Sequence, residues 1–201
     1  MSDTATAGAK QPRWPLRPNS GRFAIGLFLV ALVQTLALSW MIYDRVTLIS
    51  SGKEIVLDTI PVDPRSLFRG DYVILNYPIS SLNLTALKGD KGLRRGMKVF
   101  VTLRKPYRAG WQPVSVTKSF PTEIEKDHVV LRGKVRSGGD KNLRVNYGIE
   151  AYFVPEGEGK DLERVVREKK LQVLVAIGTN GEAAIKGLEV DGKRLHEETL
   201  F

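Results

Sequence analysis

The chain contains no cysteine and only two histidines among its 201 residues. The first absence excludes disulfides, thiolate metal sites and cysteine nucleophiles. The histidines, His128 and His196, stand sixty-eight positions apart with no ligand spacing around either. Neither a metal site nor a cofactor is therefore expected. A phosphate-binding Gly-x-x-x-x-Gly-Lys-Ser/Thr loop is also missing. Gly89, Gly92 and Gly96, set among Lys88, Asp90, Lys91, Arg94 and Arg95, read instead as a flexible basic loop. No internal repeat and no nucleic-acid-binding motif occurs, so nucleic acid is not an expected partner despite a formal charge of +9.

The most consequential absence is of charge. From Phe23 to Tyr43 (FAIGLFLVALVQTLALSWMIY) no ionisable cation or carboxylate interrupts twenty-one positions. At about 1.5 Å per residue, a helix of that length is roughly 30 Å long, the thickness of a bilayer's hydrocarbon. A buried core helix fits poorly, because no polar face exists for solvent. A cleaved signal peptide fits less well than an uncleaved signal anchor. Ala37 and Ser39 form only a weak cleavage pattern, and the apolar run continues through Trp40, Met41 and Ile42. Lys10, Arg13, Arg17 and Arg22 precede the run, which favours a cytoplasmic N-terminus and an exported C-terminal portion.

The expected organisation has three parts. Residues 1–21, with Pro12, Pro15 and Pro18, form a disordered basic cytoplasmic tail. Residues 22–48 form the transmembrane signal-anchor helix, in contact with lipid through Phe23–Tyr43, and the helix ends at Gly52. Residues 53–201 form one β-rich domain of ordinary size. Residues 45–201 hold +7 of the formal charge, spread along the segment as a solvated basic surface.

Within that domain the pattern is one of strands. Glu54–Ile60, Tyr72–Tyr77, Met97–Arg104, Gln112–Ser119 and Val129–Ser137 each read as one. Met97, Val99, Val101 and Leu103 alternate with Lys98, Phe100, Thr102 and Arg104, as in a half-buried antiparallel strand. Leu143–Val154 reads as a single long strand, with Val145, Tyr147, Ile149, Ala151 and Phe153 on one face and Glu150 and Tyr152 on the other. Leu171–Ile177 is the candidate central strand, and Asp191-Gly192 turns a hairpin between Ala183–Val190 and Lys193–Glu197. Helices are expected at Asp161–Lys170 and, shorter, at Ser81–Leu87. The fold class is thus one N-terminal transmembrane α-helix plus a mainly antiparallel β (α+β) extracytoplasmic domain with one or two peripheral helices.

The densest cluster of chemically special residues is Pro61–Tyr77, PVDPRSLFRGDYVILNY. Gly70 suits a backbone angle other residues resist. Asp63 and Asp71 lie within reach of Arg65 and Arg69 for bidentate pairing. Tyr72 and Tyr77, five apart, point to opposite faces of an extended strand. Such a corner serves either as a recognition surface or as a strand start locked by side-chain hydrogen bonds, and the second is favoured. Glu150 and Tyr152 are candidates to line a groove, and Asp71 with Glu150 is the weak candidate for an acid–base pair. Glu156 and Glu158, with Gly157 and Gly159, make a solvated turn.

This segment carries a resemblance. Gly70-Asp71-Tyr72-Val73-Ile74-Leu75-Asn76-Tyr77 resembles the Gly-Asp-Tyr-x-x-Leu-x-Tyr pattern for which the bacterial GDYXXLXY family of membrane-anchored proteins is named. VDPRSLFR before it and YGIEAYFVPEGEG (Tyr147–Gly159) are similar to that family too, as is the layout of one membrane helix and a strand-rich domain. The resemblance brings no reaction or ligand with it. A weaker one, Pro64, Leu67, Gly70-Asp71 and Val73, is similar to the segment after the nucleophile of signal-peptidase-like serine proteases. Those enzymes need a serine before the proline and a lysine base. Here Ser66 lies on the wrong side of Pro64.

The expected function is therefore non-enzymatic: an accessory or scaffold domain that binds another membrane or envelope protein. The alternatives are an envelope-directed hydrolase using Asp71 and Glu150, or a small-ligand sensor.

Overall fold

The computed structural model describes residues 20–60, 72–107, 110–139, 141–153, 171–190 and 192–197. The chain divides into two compact units, Met1–Tyr43 and Asp44–Phe201. One helix, α1, runs over Ser20–Ser51. It is long and apolar enough to cross a membrane. Within the first unit its described side chains are all exposed, Phe28 and Trp40 included. Its length, composition and position suit a membrane anchor or a signal sequence.

In the second unit the last turn of α1 joins the β body. Ile49 is buried, and Gly52 donates its N–H to the Leu48 carbonyl at 3.0 Å. A side chain at Gly52 would meet Ala176 and the Ile177 backbone, so the turn out of the helix depends on a glycine here.

Twelve strands follow in the described residues: β1 (Lys53–Asp58), β2 (Tyr72–Ile74), β3 (Ser81–Asn83), β4 (Lys88–Gly89), β5 (Lys98–Arg104), β6 (Gln112–Thr117), β7 (His128–Gly138), β8 (Asn142–Asn146), β9 (Ala151–Phe153), β10 (Leu171–Ile177), β11 (Ala183–Val190) and β12 (Lys193–Glu197). They form a four-stranded sheet in the order β1-β10-β11-β12, a six-stranded sheet in the order β3-β8-β7-β5-β6-β4, and the pair β2-β9. All pairings are antiparallel except β4 with β6.

One buried cluster draws on all three sheets. On β5, Val99, Val101 and Leu103 are fully buried and face Leu131 of β7 and Val116 of β6. Each such side chain contributes on the order of 1.5–3 kcal/mol through removal from water. Lys98, Phe100, Thr102 and Arg104 take the opposite face, as the alternation requires. The β10 strand is buried on both faces, with Val173 and Val175 on one and Leu174 and Ala176 on the other. Its apolar run is explained by its place between β1 and β11. Gly192, at φ +76°, turns the β11–β12 hairpin.

Three expectations fail. Ser81–Leu87 is not a helix: Ser81–Asn83 pairs with β8, and the Asn83 side chain then folds the chain by accepting from the Thr85 N–H (3.1 Å) and hydroxyl (2.6 Å). Leu82 is buried by that pairing, which outweighs local helical spacing. Leu143–Val154 is not one strand but two, β8 and β9, separated by a turn at Tyr147–Glu150 with Gly148 at φ +83°. The break inverts the later faces, so Tyr152 is buried while Ala151 and Phe153 are exposed. The basic glycine segment is stitched down where it begins: Gly89 runs parallel to β6, and Asp90 accepts the Lys118 N–H at 2.8 Å. Residues 1–19 of the expected tail, the Asp161–Lys170 helix and the Glu156–Gly159 turn lie outside the described residues, and Ser20 and Gly21, assigned to the tail, begin α1 instead.

Candidate functional site

The second half of the Gly70–Tyr77 segment is held by the Tyr147–Glu150 turn. β2 pairs with β9, setting Tyr72 opposite Phe153 and Val73 opposite Tyr152. Beyond β2, the Leu75 N–H donates to the Glu150 carbonyl at 2.9 Å. Two buried tyrosines then cross between the segments. The Tyr77 hydroxyl donates to the Ile149 carbonyl at 2.6 Å, and the Tyr147 hydroxyl donates to the Ile79 carbonyl at 2.7 Å. Tyr77, Ile79, Tyr147 and Ile149 are all buried, as is Leu75. Burial pushes the Tyr77 phenol well above its ordinary pKa of 10.0, and the Glu150 carboxylate adds to the rise. The same two causes, in the same order, raise that of Tyr147. Both phenols remain neutral donors and are closed to solvent, which suits a lock and not proton transfer.

Glu150 secures the turn itself. One carboxylate oxygen accepts the Tyr147 N–H at 2.6 Å and the other the Gly148 N–H at 2.9 Å. Gly148 supplies the left-handed backbone that turns both N–H groups toward one carboxylate.

Beside this lock lies a polar cleft of about 250 Å³, lined by Asn76, Ser80, Arg136, Arg144, Asn146 and Glu150 among others. Alternation explains Asn76: Leu75 and Tyr77 turn into the core, so the residue between them turns out. Ile60 bridges to Asn76 at the rim, its N–H donating to the Asn76 carbonyl at 2.8 Å. The Ser80 hydroxyl is buried without a hydrogen-bond partner among the described residues. No histidine or lysine stands in the described lining to activate it. Glu150 is the one carboxylate in the described lining, and both of its oxygens already accept backbone N–H groups.

The sequence-derived candidates therefore separate. Leu75 and Tyr77 belong to the core, and Glu150 belongs to the turn and the cleft wall. Tyr152 is buried and does not line the cleft, so the groove expected from Glu150 and Tyr152 together does not form. Asp63, Arg65, Arg69, Gly70 and Asp71 lie outside the described residues, with Pro64, Ser66 and Leu67; so does the Tyr72 side chain. Sequence reasoning missed Ser80, Arg136, Arg144 and Asn146. The two arginines sit at outward positions of β7 and β8, a signal visible as KVRS and NLRVN, but only strand pairing brings them to one cleft.

A family model described as GDYXXLXY protein matches residues 34–188, more than half of the chain. The chain belongs to the GDYXXLXY family. No curated protein and no solved structure matches. In this GDYXXLXY protein, the Leu and the final Tyr of the family's name are Leu75 and Tyr77, the two residues buried against the Tyr147–Glu150 turn.

Proposed function

We propose that this GDYXXLXY protein is a single-pass protein of the bacterial inner membrane. Its N-terminus is cytoplasmic and its β domain is periplasmic, serving as a non-enzymatic accessory or scaffold that binds another membrane or envelope component. One observation carries the reading: an uncharged apolar helical stretch, exposed along its described length, precedes a domain in which Leu75 and Tyr77 of the family motif are consumed by packing. Basic residues before the helix set the orientation. Trp40 and Tyr43 take the aromatic positions at the outer interface.

The absence of native cysteine makes the topology directly testable. Single cysteines placed at Ser2 and at the exposed Tyr107 are probed in intact cells with a membrane-impermeant maleimide. Labelling at 107 and protection at 2 is the expected result. Labelling at 2 alone, or a mature chain that begins near position 40 and leaves the membrane fraction, overturns the placement. Crosslinking in whole cells and solubilisation then identify the partner. An envelope polymer turned over by the wild type but not by a folded Glu150→Gln variant would overturn the non-enzymatic part.

A further inference from the structure

We propose that the outer face of the six-stranded sheet binds a linear phosphate polymer. This names the chemistry of the envelope component in the reading above and rests on it for biological context. The binding itself can be measured whichever way the protein faces.

The strand register sets Lys98 of β5 directly opposite Lys134 of β7, and both are exposed. Directly opposed residues of an antiparallel pair project to the same side, and like charges there oppose pairing. No ion pair involving either lysine exists among the described residues. Arg132 lies two residues along β7, on the same face, and is paired with Glu182. Arg136 follows at a bulge, where the β7–β8 register shifts between Val135 and Ser137. With Arg95 these residues line a pocket of about 570 Å³ whose described lining holds five cations and no carboxylate. Arg136 and Asn146 also line the cleft beside Tyr77, so the two depressions adjoin, and Arg144 extends the basic band. Opposing two lysines and surrounding them with arginines, of which Arg132 alone is ion-paired among the described residues, leaves repulsion that a bound anion would relieve.

Three features select the anion. The cations come from two strands and a loop. That arrangement suits the tetrahedrally disposed oxygens of phosphate better than a flat carboxylate, which one guanidinium fork satisfies. Outward positions recur about 6.6 Å apart along a strand, with neighbouring strands about 4.8 Å away, so the band offers repeated charge to a chain. Finally, the pocket lining contains no exposed large apolar residue of the kind that seats a protein on a bilayer. The half-exposed Phe120 and Ile124 instead line a different pocket, with Leu48 and His128. Lys134 is six residues along β7 from His128, about 20 Å away.

The full chain in phosphatidylcholine nanodiscs is titrated with fluorescent inorganic polyphosphate. The four cations not already paired, Arg95, Lys98, Lys134 and Arg136, predict a log–log salt slope of about −2.8, an affinity loss of about 50-fold between 50 and 200 mM salt. Lys98→Ala with Lys134→Ala should flatten the slope to about −1.4. Lys105→Ala with Lys126→Ala, which removes cations that do not line the pocket, should change neither slope nor affinity. The proposal is overturned if polyphosphate does not bind at 50 mM salt, or if the Lys98/Lys134 variant keeps the wild-type slope. It is equally overturned if polyglutamate, single-stranded DNA or phosphatidylglycerol vesicles bind more tightly than polyphosphate at equal charge. Failure here leaves the topology result untouched, and a failed topology test leaves this binding standing.

Discussion

Tyr77→Phe removes one oxygen from the centre of the fold and should be costly for its size. The hydroxyl donates to the Ile149 carbonyl at 2.6 Å, and both residues are almost wholly buried. The phenylalanine ring fills the same space, so no cavity opens, but the carbonyl loses its donor in a place water does not reach. That loss costs about 1–3 kcal/mol. In a domain of this size each kcal/mol moves the melting temperature by about 2–4 °C, so a drop of roughly 2–12 °C is expected at neutral pH. The alkaline limb gives a second, independent readout. Tyr77 and Tyr147 hold their protons in the folded state to a pH well above 10.0, the ordinary tyrosine value. Below pH 10 the folded and unfolded states are equally protonated and the stability is fully present. Above it the unfolded chain ionises while the folded one does not. Each tyrosine then removes about 1.4 kcal/mol per pH unit, until the folded pKa is passed. The wild type should lose about 2.7 kcal/mol per unit from this pair, and Tyr77→Phe about half that. Urea unfolding followed by tryptophan fluorescence at pH 8, 10 and 11, in detergent, measures both. Lysine titration and other alkaline effects cancel in the difference between the two proteins. A variant as stable as wild type at pH 8, or one with an unchanged alkaline slope, would refute the claim that this phenol is a buried donor.

Glu150→Ala should destabilise the domain by about 1.5–3 kcal/mol, because the Tyr147 and Gly148 N–H groups lose a charged acceptor. Differential scanning fluorimetry checks this, and an unchanged melting temperature would mean that the carboxylate is not holding the turn. Gly89→Ala should cost at least about 2 kcal/mol, since its Cβ would sit 1.9 Å from the Val116 carbonyl oxygen and the backbone is at φ +128°. Hydrogen exchange should show the Asp90 N–H, bonded to that carbonyl at 2.9 Å, losing protection before the β5–β7 amides do.

Where one periodicity dominated and the neighbours agreed, the sequence was readable. The β5 alternation was enough to assign Val99, Val101 and Leu103 to the core, because a one-residue slip would bury Lys98 and Arg104 instead. The apolar run of β10 announced a strand covered on both faces, and Asp191-Gly192 announced its hairpin. The turn at Tyr147–Glu150 was hidden because Val145, Tyr147 and Ile149 continue the period of two straight through it. Its only local signal was a glycine inside a strand pattern, which marks a break as readily as a bulge. The basic face was hidden for a different reason. Parity along β5 and β7 makes Lys98 and Lys134 outward-facing, yet only the register makes them neighbours. Register is a property of two strands, and neither strand encodes it alone.

The same distinction explains what the family's name describes. Leu75 and Tyr77 are two apart, so an extended chain must place both on one side, and here that side is the core. Their partners, the Glu150 carbonyl for the Leu75 N–H and the Ile149 carbonyl for the Tyr77 hydroxyl, belong to a turn more than seventy residues later. The Leu75 and Tyr77 end of the motif therefore records a long-range closure, while Gly70, Asp71 and the Tyr72 side chain lie outside the described residues. Asn76, one of the positions the pattern leaves free, is forced outward by the residues flanking it and forms part of the cleft wall with Arg136 and Arg144. The packing of Leu75 and Tyr77 thus sets one unfixed position in the wall of a polar cleft. Asn76 and the basic band that adjoins it are therefore the described positions at which the proposed ligand is to be tested.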